Sequence, residues 1–191
     1  GIVVRDWQVP VAGAPRHVAL GFDSFDPYPE HSPYFGAVVG RVANRIKNAR
    51  FTLDGKTYPL VPSEGPNQLH GGPEGLGRQI WEMEKDEANN ALIFTHTSPD
   101  GAMGYPGNVH FEVRYTLTGN RLRLEFAGTP AEPTPISMVP HQYFNLGPTD
   151  TVLDHVVHMP QAVAPPPRGP DLVPTRPNGP VPGTRSDFPP P

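Results

Sequence analysis

The sequence predicts an all-β protein in which short antiparallel strands form a sandwich or a barrel. Apolar and polar residues alternate over short stretches, and glycine, proline and asparagine separate these stretches. Helical periodicity is weak throughout. Many short strands with regular turn signals are typical of antiparallel sandwiches and barrels. A chain of 191 residues is long enough for one domain with a sizeable apolar core.

Seven stretches are predicted as strands, at residues 2–9, 51–53, 58–61, 79–84, 91–97, 108–117 and 121–128. The clearest alternation lies in the sixth stretch and places four apolar side chains on one face: Phe111, Val113, Tyr115 and Leu117. The seventh stretch repeats the pattern, and Thr118-Gly119-Asn120 lies between the two. These two strands are therefore predicted to form a hairpin, and Asp54-Gly55 indicates another tight turn.

Three regions give weaker signals. Residues 34–48 are the best helical candidate, but Gly36 and Gly40 weaken it, so we expect a loop that could contain one helical turn. Residues 152–159 alternate and could add one more strand. Residues 160–191 contain 12 prolines in 32 positions, which excludes a central strand and indicates an extended surface segment or a disordered tail. We therefore predict a main β unit over 1–159 and a proline-rich segment over 160–191.

Composition excludes several classes of function. The net charge is −4 and no basic stripe is present, so neither nucleic acid nor an anionic membrane is an expected partner. The chain has no cysteine, which excludes disulfides and thiolate chemistry. No apolar run approaches the about 20 residues that span a bilayer, and a cytoplasmic location is the default. The eight histidines are scattered, so no metal site is predicted.

Two polar clusters suit the recognition of a hydroxyl-rich ligand. In residues 40–46, Arg45 follows Asn44, and a guanidinium beside an amide can bind sugar hydroxyls. The alternative for this pair is an ordinary surface ion pair. In residues 67–72, His70 precedes two glycines, which lets the backbone approach a ligand closely. The alternative there is a turn in which the imidazole caps a carbonyl group.

Two further clusters differ in kind. Residues 100–107 are rich in turn formers, and a structural role suffices for them. In residues 140–147, His141 lies among aromatic residues with Asn145 nearby. Because an imidazole has an unperturbed pKa of about 6.5, His141 can donate or accept a proton at neutral pH. The alternative is a buried histidine whose hydrogen bonds are satisfied within an aromatic core.

The ordered set of motifs resembles the aldose 1-epimerase family, the galactose mutarotases. The segments that carry the resemblance are 36–46, 67–72, 100–107 and 141–146, with further similarity at 20–22 and 173–188. The resemblance implies a large antiparallel β-sandwich with a sugar cleft on one sheet. It also implies an isomerase that interconverts the α and β anomers of aldohexoses such as galactose and glucose by acid–base ring opening, without a cofactor or metal.

The same resemblance assigns roles to four residues. Asn44 and Arg45 would bind substrate hydroxyls, His70 would contact the sugar near the ring oxygen, and His141 would be the general acid. Family members begin earlier and run past the Asp187-Phe188 motif, and the family's Glu base and a substrate-binding Asp lie in that distal part. We therefore expect an incomplete sandwich with little or no epimerase activity in this chain alone. The alternative is a non-catalytic carbohydrate-binding relative on the same fold.

Overall fold

A computed structural model describes residues 1–32, 34–157, 169 and 172–174. The chain divides into two compact units, Gly1–Phe144 and Asn145–Pro191. The described strands are β1 (Gln8–Val11), β2 (Ala14–His17), β3 (Ala37–Val39), β4 (Arg45–Ile46), β5 (Arg50–Leu53), β6 (Lys56–Pro59), β7 (Gln68–Leu69), β8 (Glu82–Asp86), β9 (Ala91–Ser98), β10 (Val109–Thr118), β11 (Arg121–Pro130) and β12 (Val139–His141). One α-helical turn, α1 (Tyr28–His31), and four 3-10 turns (Lys47–Ala49, Leu76–Arg78, Glu87–Asn89 and Ala102–Gly104) accompany them.

The largest sheet has the strand order β11-β10-β9-β8, and all of its neighbours are antiparallel. Strands β10 and β11 pair from Val109↔Pro130 to Thr118↔Arg121, so the predicted hairpin is confirmed. The alternation of β10 correctly predicted its buried face, because Phe111 and Val113 are fully buried and Tyr115 is nearly so. Leu117, at the end of the strand, is 40% exposed. The all-β antiparallel class is thereby confirmed.

The core lies between this sheet and the short strands that cross one of its faces. Ile2 and the β3 residue Val38 pack in one cluster with Val113 and Tyr115 of β10. Strand β3 pairs with β12, β4 with β7, β5 with β6 and β1 with β2, each antiparallel. Burying one face of a sheet against a second layer is the basis of a β-sandwich. The layer that contains β3 and β12 also carries the candidate site.

Three predicted strands occupy shifted positions along the chain. Within residues 2–9, β1 begins only at Gln8. The preceding residues run beside β3 without continuous pairing, and Val3 forms a single bridge to Ala37. For 79–84, β8 begins at Glu82 because the preceding residues close the 3-10 turn at Leu76–Arg78. For 58–61, the confirmed tight turn at Asp54-Gly55 sets the register, so β6 occupies Lys56–Pro59.

The prediction of a loop for residues 34–48 was wrong. The region contains the strands β3 and β4, and its helical turn is confined to the 3-10 turn at Lys47–Ala49. All three residues of β3 are buried, so the strand has no polar face and shows no alternation in the sequence. A buried strand of three apolar residues is too short to be distinguished by periodicity from other apolar segments.

The region after Phe144 adds little regular structure to the described part. Residues 152–157 form a turn followed by irregular backbone, so the possible strand is absent there, and 158–159 lie outside the described residues. Of the proline-rich segment, only 169 and 172–174 are described, and the proposed division at residue 159 stays a prediction. Within the described residues, no helix has the length and apolar character needed to cross a membrane.

Candidate active site

Strands β4 and β7 bring Asn44, Arg45 and His70 together. Arg45 pairs with Leu69, and Asn44 and His70 extend this ladder by one residue. The His70 N–H donates to the Asn44 carbonyl at 3.0 Å, and the Asn44 N–H donates to Nδ1 of His70 at 3.0 Å. Both residues have positive φ, 63° and 51°, in a region that non-glycine residues occupy at a cost. Gly71 follows, where a Cβ would collide with the Gly40 carbonyl oxygen.

A backbone hydrogen bond determines which tautomer the neutral His70 ring adopts. Because Nδ1 accepts the Asn44 N–H, the ring proton of the neutral imidazole must be on Nε2. The pKa of His70 is lowered from 6.5 to about 4, mainly by burial and also by the charges of His141 and Arg45, while Glu64 opposes the shift. At neutral pH, His70 is therefore uncharged and offers its Nε2–H as a hydrogen-bond donor.

Strands β3 and β12 bring His141 to the same place. His141 pairs with Ala37, and its carbonyl accepts the Gly36 N–H at 3.0 Å. The ring centres of His141 and His70 are 5.0 Å apart, and the ring planes are nearly perpendicular at 86°. His141 is half-buried, and its ring lies beside Tyr143, with 5.2 Å between the ring centres. The imidazole is thus at the edge of the second layer and outside the three apolar core clusters.

Arg45 is held by a carboxylate that the sequence analysis did not place at the site. Its Nε and Nη2 donate to the two oxygens of Glu64, with 2.7 Å from Nη2 to Oε1, and its Nη1 donates to Oδ1 of Asn44 at 3.3 Å. The hydrogen bonds from Arg45 hold the pKa of Glu64 below its usual value. The guanidinium is thereby fixed in orientation, and both of its terminal nitrogens keep a further N–H for a ligand. Glu64 lies 19 residues from Arg45 in the chain, and no local pattern indicates this pairing.

Tyr34 is the second residue that the sequence analysis missed. Its ring centre lies 4.5 Å from that of His70 and 5.6 Å from that of His141, so the phenol covers both imidazoles. A tyrosine in a segment expected to be a loop carries no signal for such a contact. The only available hint was its place next to the 36–46 motif.

Arg41, in the same motif as Asn44 and Arg45, has a structural role. It is 2% exposed, and its guanidinium donates to the carbonyl oxygens of Ser98, Pro99, Pro106 and Gly107 and to the hydroxyls of Ser98 and Thr134. The end of the turn-rich cluster at 100–107 therefore binds a buried cation, through the carbonyl groups of Pro106 and Gly107. Its Asp100 carboxylate accepts the Gly107 N–H at 2.6 Å and closes the turn.

The four residues predicted from the sequence thus lie close together. Asn44 directly precedes β4 and Arg45 begins it, whereas His70 follows β7 and His141 ends β12. Among the described residues, no group of three or more histidine, aspartate or glutamate side chains could hold a metal ion. The chemical groups in this cluster are two imidazoles, a guanidinium with its carboxylate partner, an amide and a phenol. Such a set can bind hydroxyl groups and transfer protons.

The fold and the cluster together define an antiparallel β-sandwich protein with a candidate acid–base site made of side chains. Comparison with known proteins makes the class specific. The sequence profile described as aldose 1-epimerase matches residues 1–191, and the chain belongs to the aldose 1-epimerase family.

Individual relatives agree with this membership. The chain is 41% identical over 187 residues to galactose mutarotase of Sus scrofa, with 97% of this chain and 53% of the relative covered. It is 39% identical over 154 residues to aldose 1-epimerase of Escherichia coli K12, with 76% and 44% covered. The chain spans about half the length of the curated relatives it matches.

Solved structures share the fold. The crystal structure of a GalM/aldose epimerase homologue from C. elegans superposes with a TM-score of 0.87 at 33% identity, over 95% of this chain and 56% of that one. Galactose 1-epimerase from Lactobacillus acidophilus gives a TM-score of 0.60 at 29% identity, over 69% and 40%. The predicted large β-sandwich of this family is therefore confirmed.

Proposed function

We propose that this protein is an aldose 1-epimerase that interconverts the α and β anomers of aldohexoses such as galactose and glucose. The observation that carries the proposal is the pair of imidazoles, His70 and His141, with 5.0 Å between ring centres and a fixed Arg45 and Asn44 beside them. Relatives named galactose mutarotase and aldose 1-epimerase support the same activity.

The chemistry requires two proton transfers. A general acid protonates the ring oxygen while a base removes the proton of the C1 hydroxyl, so the C1–O5 bond breaks and C1 becomes an aldehyde. Rotation about C1–C2 presents the other face of the aldehyde, and ring closure returns both protons. Each positioned proton transfer typically contributes a factor of about 10² to 10⁴ in rate.

The residues divide these tasks by their chemistry. His141 is the general acid in the proposal, because its imidazole lies at the open edge of the layer, beside the His70 ring, and a positioned imidazole can donate a proton. His70 is held neutral, so it contributes the Nε2–H as a hydrogen-bond donor near the ring oxygen without competing for the proton. Arg45 and Asn44 bind hydroxyl groups and fix the orientation of the pyranose.

Sugar binding is tested with the 191-residue chain. Galactose and glucose are titrated while the histidine ring resonances are followed by NMR. We expect saturable shifts of the His70 and His141 resonances with either sugar. Mannitol, an open-chain polyol without a pyranose ring, is the matched control and should leave both resonances in place. Absence of shifts with any aldohexose would contradict the proposal.

Catalysis is tested by polarimetry with freshly dissolved α-galactose. The expectation from the sequence, little or no epimerase activity in this chain alone, is compared with the spontaneous rate. Acetate, supplied as an external base, should raise the protein-dependent rate in the wild type and not in His141→Asn. An equal effect of acetate on both proteins would exclude His141 as the acid. Sugar binding with no protein-dependent rate even in acetate would instead favour a non-catalytic carbohydrate-binding relative.

A further inference from the structure

Tyr34 has a backbone conformation that its residue type disfavours. Its φ is 66°, in the left-handed region, where a bulky aromatic residue is a conformational outlier. The Tyr34 N–H donates to the Ser32 carbonyl at 2.8 Å, and its own carbonyl accepts the Ala37 N–H at 3.1 Å. The turn between α1 and β3 therefore holds Tyr34 in this conformation from both sides. Outliers of this kind that persist in a fold concentrate at functional sites.

The consequence of this backbone conformation is the direction of the ring. The phenol meets His70 edge to face, with 4.5 Å between ring centres and 66° between planes, and lies tilted against His141. Its neighbour Phe35 contacts other aromatic rings, since it stacks on Phe22 and meets Tyr143 edge to face. Tyr34 is thus the residue of this turn that faces the two imidazoles.

The hydroxyl of Tyr34 is available to a ligand. No hydrogen-bond partner for it exists among the described residues, although the ring is half-buried. Burial raises the pKa of the phenol, while the charges of Arg78, Glu64 and Arg45 also act on it, which agrees with a position close to the Arg45–Glu64 pair. The phenol therefore stays protonated at neutral pH and can both donate and accept a hydrogen bond.

We propose that Tyr34 is a further substrate-binding residue, whose phenol hydroxyl hydrogen-bonds one hydroxyl of a pyranose bound beside His70 and His141. This inference rests on the proposed function, since it requires an aldohexose in the cleft. The contact adds specificity for one sugar hydroxyl, because a site that hydrogen-bonds a hydroxyl discriminates against an analogue that lacks it.

The test compares Tyr34→Phe with the wild type for galactose, glucose and a panel of their monodeoxy analogues. The substitution removes one oxygen and keeps the ring contacts with both imidazoles, so the fold is preserved. A lost neutral hydrogen bond should weaken galactose binding about three- to tenfold. For the analogue that lacks the contacted hydroxyl, wild type and variant should bind equally. Tyr58→Phe, in the β5–β6 hairpin where Tyr58 stacks on Phe51, is the matched control and should change no affinity.

Each outcome bears on one proposal in particular. Equal affinities of wild type and Tyr34→Phe for all sugars would overturn the role of Tyr34 and leave the proposed function in place. A loss of the same size for every analogue would also overturn it, because the effect would then be indirect. Failure of the wild type to bind any aldohexose would overturn the proposed function, and the role of Tyr34 with it.

Discussion

Acidification should destabilise this protein through His70. Burial, with the charges of His141 and Arg45, lowers the pKa of His70 from 6.5 to about 4 in the folded state. Above pH 6.5 the imidazole is neutral in both states and contributes no pH dependence. Between pH 6.5 and 4 the unfolded chain takes up a proton that the folded protein does not. The free energy of unfolding therefore decreases as the pH is lowered through this range. Below about pH 4 both states are protonated and this contribution is constant.

The size of the effect follows from the same values. At 1.36 kcal/mol per pH unit, the lowered pKa corresponds to at most about 3 kcal/mol. Because the His70 ring is half-buried and water screens part of the interaction, we expect about 1 to 2 kcal/mol. His70→Asn is the informative variant. Asparagine keeps an acceptor for the Asn44 N–H, tolerates the positive φ at this position and does not titrate.

Two measurements check the reasoning. Urea denaturation from pH 7 to 4 should show a loss of stability in the wild type that exceeds the loss in His70→Asn by about 1 to 2 kcal/mol. In an NMR titration the His70 ring should stay neutral down to about pH 5. The substitution His141→Asn should raise the pKa of His70, because it removes the charge of His141. A His70 resonance that titrates near pH 6.5, or identical pH profiles of the two proteins, would refute the proposed environment of His70.

Two further expectations concern the site and the core. Glu64→Gln should weaken galactose binding about three- to tenfold, because Arg45 loses the charged partner that orients its guanidinium. Asp86→Asn, which breaks the carboxylate–arginine pair of β8 and β10, is the control; an equal loss of affinity in both variants would argue against orientation of Arg45 by Glu64. Phe111→Ala should lower the free energy of unfolding by about 3 to 5 kcal/mol in urea denaturation, because the side chain is fully buried between the layers. A loss below about 1 kcal/mol would contradict that position.

The predictions that held depend on short-range rules. Strand β10 buries alternate residues, and its period of two is readable in the sequence because the opposite face carries polar groups such as Glu112 and Arg114. The turns at Asp54-Gly55 and Thr118-Gly119-Asn120 were also readable, because left-handed backbone at Gly55 and Gly119 needs residues of that type. These features involve neighbours along the chain.

Two of the predictions that failed, for residues 34–48 and for the start of 2–9, depend on distant neighbours. Strand β3 is buried on all of its residues, so no alternation identifies it. Residues 2–4 run beside β3 through bonds such as Val4 N–H to the Gly36 carbonyl, yet form only one bridge. Neither arrangement leaves a periodic pattern, because the burial and the pairing are supplied by segments far away in the sequence.

By itself the sequence determined the all-β class, the central hairpin, the family resemblance and the four polar residues that now lie together. Only the tertiary structure decided which tautomer His70 holds, that Glu64 orients Arg45, that Arg41 is buried among carbonyl groups and that Tyr34 faces the imidazoles. The reason is physical. A residue type states which bonds a side chain can make, whereas burial and partners 19 to 107 positions away determine which of them it does make.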